Sequence, residues 1–377
     1  MKPTSSTQMS VPFLDLERLN EPLREQILAG IGQLIDRSEF VPGPAVAAFE
    51  REFGAYCRAT HCVGVASGLD ALRLSLQALG IGPGDEVILP ANTFVATFEA
   101  VSQVGATPVP ADVEPLDYNV DPAAVEAATG ERTRLLLPVH LYGQLADLDR
   151  LSAIARRHSL LMLEDACQAH GATRDGIRAG ECSHAAAFSF YPAKNLGAMG
   201  DAGAVVTSDA TLAGELVMLR EHGQRAKYRS ERIGWTARLD AIQAVVLSAK
   251  LPQLDRWNAE RRAVAALYDE ALDGVGDLVL PGVAPGSDPV WHLYVIRTAA
   301  RDELAEALRL RGIHTGLHYP EPPHLSAAYR GLGYGPGSFP VTELLAVEVL
   351  SLPIFPGMTE AEVEAVTDAV REYFVRG

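Results

Sequence analysis

The sequence predicts an α/β fold with a largely parallel central sheet, followed by a smaller α+β region, on three observations. Apolar runs and helical patterns alternate along the first two thirds of the chain, the rhythm of helices laid over a sheet. Several runs, LLLPV and LLML among them, are apolar at every position instead of every second one, which marks strands buried on both faces. Near Leu239 the rhythm gives way to one long helical pattern and then to loops rich in proline and glycine.

In chain order, an amphipathic helix is expected over 21–37. Strands are expected over 61–66, 86–89, 107–111, 134–140, 160–164, 185–190 and 204–207, with helices such as 71–79 and 148–158 between them. The helical pattern from 239 to about 272 is broken only at Pro252, which lacks an amide hydrogen and should kink it. Beyond it come the apolar segment VWHLYVIR (290–297), a helix over 301–311 and another over 359–375, separated by LPGVAPGSDP and GYGPGSFP. The division this implies is a large domain over 11–250 and a small C-terminal domain over 251–377. There are no internal repeats.

Composition narrows the function. The 377 residues, 48% hydrophobic and 21% charged, are ordinary for a globular chain of two unequal domains. The opening MKPTSSTQMS is polar and is the one stretch expected to lack order. No apolar run suits a signal peptide or a membrane helix, so a cytoplasmic protein is expected. A net charge of −16 argues against nucleic acid, whose affinity comes from lysine and arginine neutralising phosphates, but leaves room for a small anion held by a few local donors. Cys57, Cys62, Cys167 and Cys182 match no zinc spacing and read as reduced, mostly buried and not catalytic.

Three segments carry chemistry. In VGVASGLDAL (63–72) a strand runs into a helix, and Ser67 followed by Asp70 has the form of a capping box. The plain reading is a helix start; the functional one is a phosphate seat, since free backbone N–H groups at a helix N-terminus favour an anion. In LMLEDACQAHG (161–171) two acids end an apolar strand, at the side where α/β proteins bind ligands. A carboxylate there is a buried capping acid, a metal ligand without companions, or the partner of a protonated ring nitrogen. In FSFYPAKNLG (188–197) Lys194 follows a buried strand and enters a loop with glycines at 197, 200 and 203. A lysine so placed should have a lowered pKa, which suits an amine nucleophile, and Ser189 brings a hydroxyl toward the same anion.

In that order, and with VPFLDL, GIGPGDEVILPANTFVAT, PVHLYGQ, FSFYPAKNLGAMGDAGA, KLPQLDRWNAERR, HYPEPPHL and LSLPIF, the chain resembles the DegT/StrS-type nucleotide-sugar aminotransferases, a branch of the fold-type I pyridoxal-phosphate enzymes. The resemblance covers nearly the whole chain. It implies that Lys194 holds pyridoxal 5′-phosphate as a Schiff base and then moves the proton. It places Asp165 on the pyridinium nitrogen, Gln168 near the phenolic oxygen, Phe94 on the ring face, and Gly68, Leu69 and Ser189 on the phosphate. His170, Tyr191, His318 and Tyr319 would face the sugar, and Lys227 and Arg229, from a run of four cations over 222–232, its diphosphate. Where relatives carry an asparagine that reaches the neighbouring subunit's cofactor, this chain has Thr236, in GWTARLD, which can donate one hydrogen bond.

The resemblance further implies a homodimer whose site is completed across the interface, glutamate as amino donor, and a dTDP-3-keto-6-deoxyhexose as acceptor. A 4-keto sugar is the alternative within the class, and a non-catalytic regulatory protein the alternative outside it. A sugar dehydratase of the same fold would have histidine where Lys194 stands. No metal is expected: His314 and His318 have a zinc-like spacing, but Gly316 between them argues against the helix it needs.

Overall fold

The structure, a computed structural model, describes residues 10–376. The disorder expected of the first ten residues therefore falls outside it except at Ser10, whose hydroxyl donates to the Gly312 carbonyl at 3.3 Å. All seven expected strands are present and form one sheet. They are β1 (His61–Val65), β2 (Glu86–Pro90), β3 (Thr107–Ala111), β4 (Thr133–Leu136), β5 (Leu161–Asp165) and, after the short pair β6 (Thr173–Arg174) and β7 (Ile177–Arg178), β8 (Ala185–Ser189) and β9 (Gly203–Thr207). The order is β1-β9-β8-β5-β4-β2-β3, and only β9 runs against its neighbours. A parallel join needs a crossover, whereas residues 190–202 connect β8 to β9 through turns alone, so β9 returns antiparallel. The strand expected over 134–140 stops at Leu136, because Pro138 cannot donate to the ladder; pairing resumes as a single bridge from Val139 to Asp165.

Both faces of the sheet are covered, as its unbroken apolar strands require. Phe188 of β8 packs with Phe49, Phe53, Leu196 and Leu247 on one face, while Ala185 and Ala187, pointing the other way, pack with Leu72, Leu76 and Leu216. The small alanines let the helix Gly68–Ala78 lie close on β8.

The long pattern from 239 is two helices, Ala241–Lys250 and Leu254–Leu272, separated at Pro252 by a single 3₁₀ turn. The first packs on the large domain and the second on the last helix, Glu360–Arg376. A hairpin, β10 (Gln224–Ala226) and β11 (Arg229–Ser230), precedes them; β12 (Ser287–Asp288) pairs with β6, and β13 (Tyr294–Arg297) with β14 (Val349–Leu352). The second core holds Tyr268, Tyr294, Leu308, Leu350 and Val366, and also Val11. Val11, at the other end of the chain, packs in this second core. Its amide donates to Gly312 and its carbonyl accepts from His314, which makes it an added edge to that region.

The two ends of the chain are tied by Arg18, whose guanidinium donates to both oxygens of Glu362 at 2.9 and 2.7 Å. These bonds hold the Glu362 carboxyl at about 2. A carboxylate depressed on folding stabilises above its ordinary range, and that contribution is lost as pH falls through the folded value. Arg18→Ala should cost roughly 1 kcal/mol at neutral pH, since Arg18 is partly exposed. The gap between variant and parent in urea melts should close as pH is lowered from about 4.5 toward 2; a gap that persists at the acid end would exclude the ion pair as its source.

Candidate cofactor site at the carboxyl end of the sheet

The strands β1, β2, β5 and β8 all end on one side, and each sends its next residues into one cluster. From β1 comes the turn Ser67–Gly68. Ser67 caps the helix by accepting from the Asp70 amide at 3.0 Å, as the capping box predicts, leaving the amides of Gly68 and Leu69 outside the helix's own bonding. A Cβ on Gly68 would lie 2.6 Å from the Ser189 Cβ and 2.9 Å from the Cys167 sulfur, so only glycine lets this turn close against the end of β8. The result is a small cradle of two free amides and a hydroxyl, the donor set an anion needs. Gly68→Ala must push that wall apart, at about 1–3 kcal/mol. It should weaken pyridoxal phosphate binding by about tenfold or more in a fluorescence titration; an unchanged affinity would move the phosphate elsewhere.

Asp165, the last residue of β5, is buried. Its carboxylate accepts from the Thr97 hydroxyl at 2.9 Å and from the Cys167 amide at 3.2 Å. Because Thr97 spends its proton on Asp165, the 2.9 Å contact between Thr97 and Thr93 has Thr93 as donor. A buried carboxylate with only neutral donors is costly, and such a group suits a cationic N–H placed against it.

Gln168 is held so that its amide N–H₂ points into the cluster. Its Oε1 accepts from the Tyr142 amide at 2.7 Å, and its Nε2 donates to the Tyr319 hydroxyl at 3.1 Å. Tyr142 makes this contact from a left-handed conformation, φ +56°, uncommon outside glycine, and its hydroxyl donates to the His318 carbonyl. Phe94 caps the end of β2 with an exposed ring, 5.6 Å from that of Tyr319.

Lys194 lies in the loop between β8 and β9, its amide donating to the Tyr191 carbonyl at 2.8 Å. Desolvation lowers the basicity of its amine, opposed by the nearby Cys167 and Asp165. Lys194 thus lies within electrostatic reach of Asp165 and of Cys167, whose sulfur closes on Gly68 beside Ser189. The donors and acceptors fit pyridoxal phosphate: an anion seat, a carboxylate for a ring nitrogen, an amide donor for a ring oxygen and an amine for an aldehyde.

Other expected residues fall differently. His170 does not face a sugar: it is buried, with Nε2 on the Ser189 carbonyl at 2.9 Å and its ring against Phe188 and Phe190. Burial pushes its pKa down to about 3, so it is a neutral prop under the strand end that carries Ser189. Tyr191 is exposed beside the loop. His318 stacks on Phe13 and shares a 2.8 Å bond with the Ser351 hydroxyl; burial and then the charge of Lys194 lower it to about 4. Lys227 and Arg229 are exposed on the β10–β11 hairpin. Thr236 shares contacts of 3.3–3.4 Å with the His222 ring and lines a cavity of about 320 Å³ with Ala66, Asp201 and Gln243. Within one chain these three residues make no hydrogen bond to Asp165, Gln168 or Lys194 among the described residues.

Sequence reasoning missed Thr93, Thr97 and Tyr142, which orient the acid and the amide. The i, i+4 spacing of the two threonines in PANTFVAT was a usable signal; the left-handed turn at Tyr142 had none. Of the cysteines, all are free; Cys57 is buried, Cys62 and Cys167 are partly so, and Cys182 is exposed, a less buried set than expected. Among the described residues no group of histidines, cysteines and acids could hold a metal ion, and no helix is long and apolar enough to cross a membrane.

Residues 22–371 match the DegT/DnrJ/EryC1/StrS aminotransferase family. The chain is 52% identical over 366 residues, 97% of each sequence, to the dTDP-3-amino-3,4,6-trideoxy-alpha-D-glucose transaminase of Streptomyces venezuelae. It is 53% identical over 351 residues, 93% of this chain and 96% of the relative, to the erythromycin biosynthesis sensory transduction protein EryC1 of Saccharopolyspora erythraea. Its fold superposes on the crystal structure of S. venezuelae DesV in complex with a ketimine intermediate with a TM-score of 0.96 at 52% identity, covering 98% of this chain and 99% of that one.

Proposed function

The chain belongs to the DegT/DnrJ/EryC1/StrS aminotransferase family, and we propose that it uses pyridoxal 5′-phosphate to carry an amino group from L-glutamate to a dTDP-3-keto-6-deoxyhexose. The observation that carries this reading is the desolvated Lys194 amine within electrostatic reach of the buried Asp165 carboxylate and of Cys167, whose sulfur and Ser189 close on Gly68.

When bound, the cofactor supplies an electron-withdrawing ring that stabilises the carbon from which a proton is removed. The residues do the rest. The Gly68 and Leu69 amides and the Ser189 hydroxyl would hold the phosphate. Asp165, oriented by Thr97 and the Cys167 amide, would pair with the ring nitrogen and favour its protonated form. Gln168 would donate to the phenolic oxygen, and Phe94 would lie over the ring. The Lys194 amine, less basic than an ordinary lysine, would serve first as the nucleophile that holds the cofactor and then as the base that moves the substrate's proton.

Two further parts of the reading concern assembly. A homodimer is supported by exposed apolar side chains at Phe40, Val41 and Met199, near Gln243, at Tyr228 on the hairpin and at Ile233 just after it. In such a dimer Thr236, Lys227 and Arg229 would reach the neighbour's site. A cytoplasmic location is part of this reading. The two domains are assigned to 11–250 and 251–377, with Val11 contributing to the second core.

The 3-keto acceptor follows the transaminase relatives; the 4-keto sugar remains the competing substrate. A regulatory role has two relatives' names behind it, the sensory transduction protein EryC1 and the pleiotropic regulatory protein of Geobacillus stearothermophilus, but a chain that had lost catalysis would have no reason to keep Asp165 and Gln168 buried and polar. The test is incubation with glutamate and, separately, 3-keto and 4-keto dTDP-sugars, with products read by NMR. An amine at C3 is expected; an amine at C4 would correct the substrate, and no amine from any donor would overturn the enzyme.

A further inference from the structure

Lys250 is the last residue of the helix Ala241–Lys250 and is 3% exposed. Lysine is almost never that buried without a carboxylate, yet burial alone acts on this amine, pulling it down to about 8. Its Nζ donates to the Gly197 carbonyl at 2.8 Å. Gly197 lies three residues beyond Lys194, at the closing corner of the loop: a Cβ there would meet the Pro192 carbonyl oxygen at 2.2 Å, and the next amide, Ala198, donates back to Phe190 at 2.8 Å.

The other side of the loop is held from the following helix. Asn195 donates to Asn258 and to the Val290 carbonyl, both at 2.9 Å, and with its two protons spent its Oδ1 accepts from His292 Nδ1 at 3.1 Å. Asn258 in turn donates to the His170 carbonyl at 2.8 Å. The helices flanking Pro252 therefore each contribute one polar side chain, and the two grip the residues on either side of Leu196.

We propose that Lys250 is a positioning residue for Lys194: by donating to Gly197 it fixes the corner of the loop that presents the Lys194 amine to the cofactor. A methionine, one atom shorter with a larger sulfur, would fill nearly the same space without a buried amine, so packing alone does not account for a lysine here. This rests on Lys194 being the residue that holds pyridoxal phosphate, and the test separates the two claims.

In the holoenzyme, Lys250→Met removes the donor and Lys250→Arg keeps one. The Met variant should melt no lower than the parent, because a buried cation is gone. Its rate of cofactor bleaching by glutamate should fall by about 10²-fold, with the donor's half-saturation unchanged, as for a misplacement of about 1 Å. Its absorption band should titrate at a different pH from the parent's, and Arg should restore part of both. In cofactor-free protein, hydrogen exchange at the Ala198 amide should speed up while the protein's global stability holds.

A folded Met variant with parental bleaching, band and Ala198 exchange overturns the proposal. So does a parallel loss of stability and rate with a parental band. Should Met fail to fold, Lys250→Gln, polar but one atom short, takes its place under the same two criteria. A parent enzyme with no pyridoxyl group on Lys194 after borohydride would sink the functional reading alone, because the exchange at Ala198 needs no cofactor.

Discussion

Lys194→Ala is expected to leave a folded protein that binds pyridoxal phosphate without a covalent link and turns over at least about 10⁴-fold more slowly. The size follows from two tasks lost at once. The amine is the only nucleophile the cluster offers the cofactor's aldehyde, and it is the base that moves the proton. Neither neighbour can substitute: Asp165 is engaged by Thr97 and the Cys167 amide, and burial holds the Cys167 thiol well above its ordinary range. The fold should not suffer, because the variant removes a cation from a desolvated place rather than a packed apolar group. Single-turnover absorbance with glutamate, alongside a thermal melt, separates these effects. A variant that melts normally and still transaminates at a tenth of the parental rate would remove Lys194 from the mechanism.

Asp165→Asn should cost about 10²- to 10³-fold in the glutamate half-reaction, the scale of breaking a buried ion pair. An asparagine oxygen can still accept from Thr97 or from the Cys167 amide, so the local structure survives. What is lost is the negative charge, and with it the proton on the ring nitrogen that lets the ring accept electrons. The cofactor-free variant should be about as stable as the parent, since the carboxylate it removes accepts its hydrogen bonds from neutral donors and acts on Lys194 without a close ion pair among the described residues. Stopped-flow bleaching and urea melts of the cofactor-free protein measure the two halves of this statement. A falling rate with falling stability in proportion would make Asp165 structural.

How much of this was legible in advance depended on range along the chain. The unbroken apolar strands and the Pro252 break could be read directly, because burial on both faces and a missing amide hydrogen are local properties. Lys194, Asp165 and the Ser67–Leu69 turn were legible for the same reason: each sits where a strand ends. What escaped was tertiary. His170 is five residues beyond Asp165 and looked like part of the mouth, but its direction is set by the end of β8, where the Ser189 carbonyl takes its proton. Tyr142 meets Gln168 only because the backbone turns left-handed, which no tyrosine advertises. Lys250 and Asn258 read as parts of a helical pattern, and their meaning comes from a loop more than fifty residues earlier. The parallel sheet was read correctly except at β9, whose reversal is decided by a connection without a helix.

The central claim is that Lys194 carries the cofactor, and borohydride reduction of the holoenzyme followed by peptide mapping tests it most directly. A pyridoxyl group confined to the peptide containing Lys194, and absent when the enzyme is first treated with glutamate, is the predicted result. A pyridoxyl group on Lys250 or another lysine, or none on any, would contradict it.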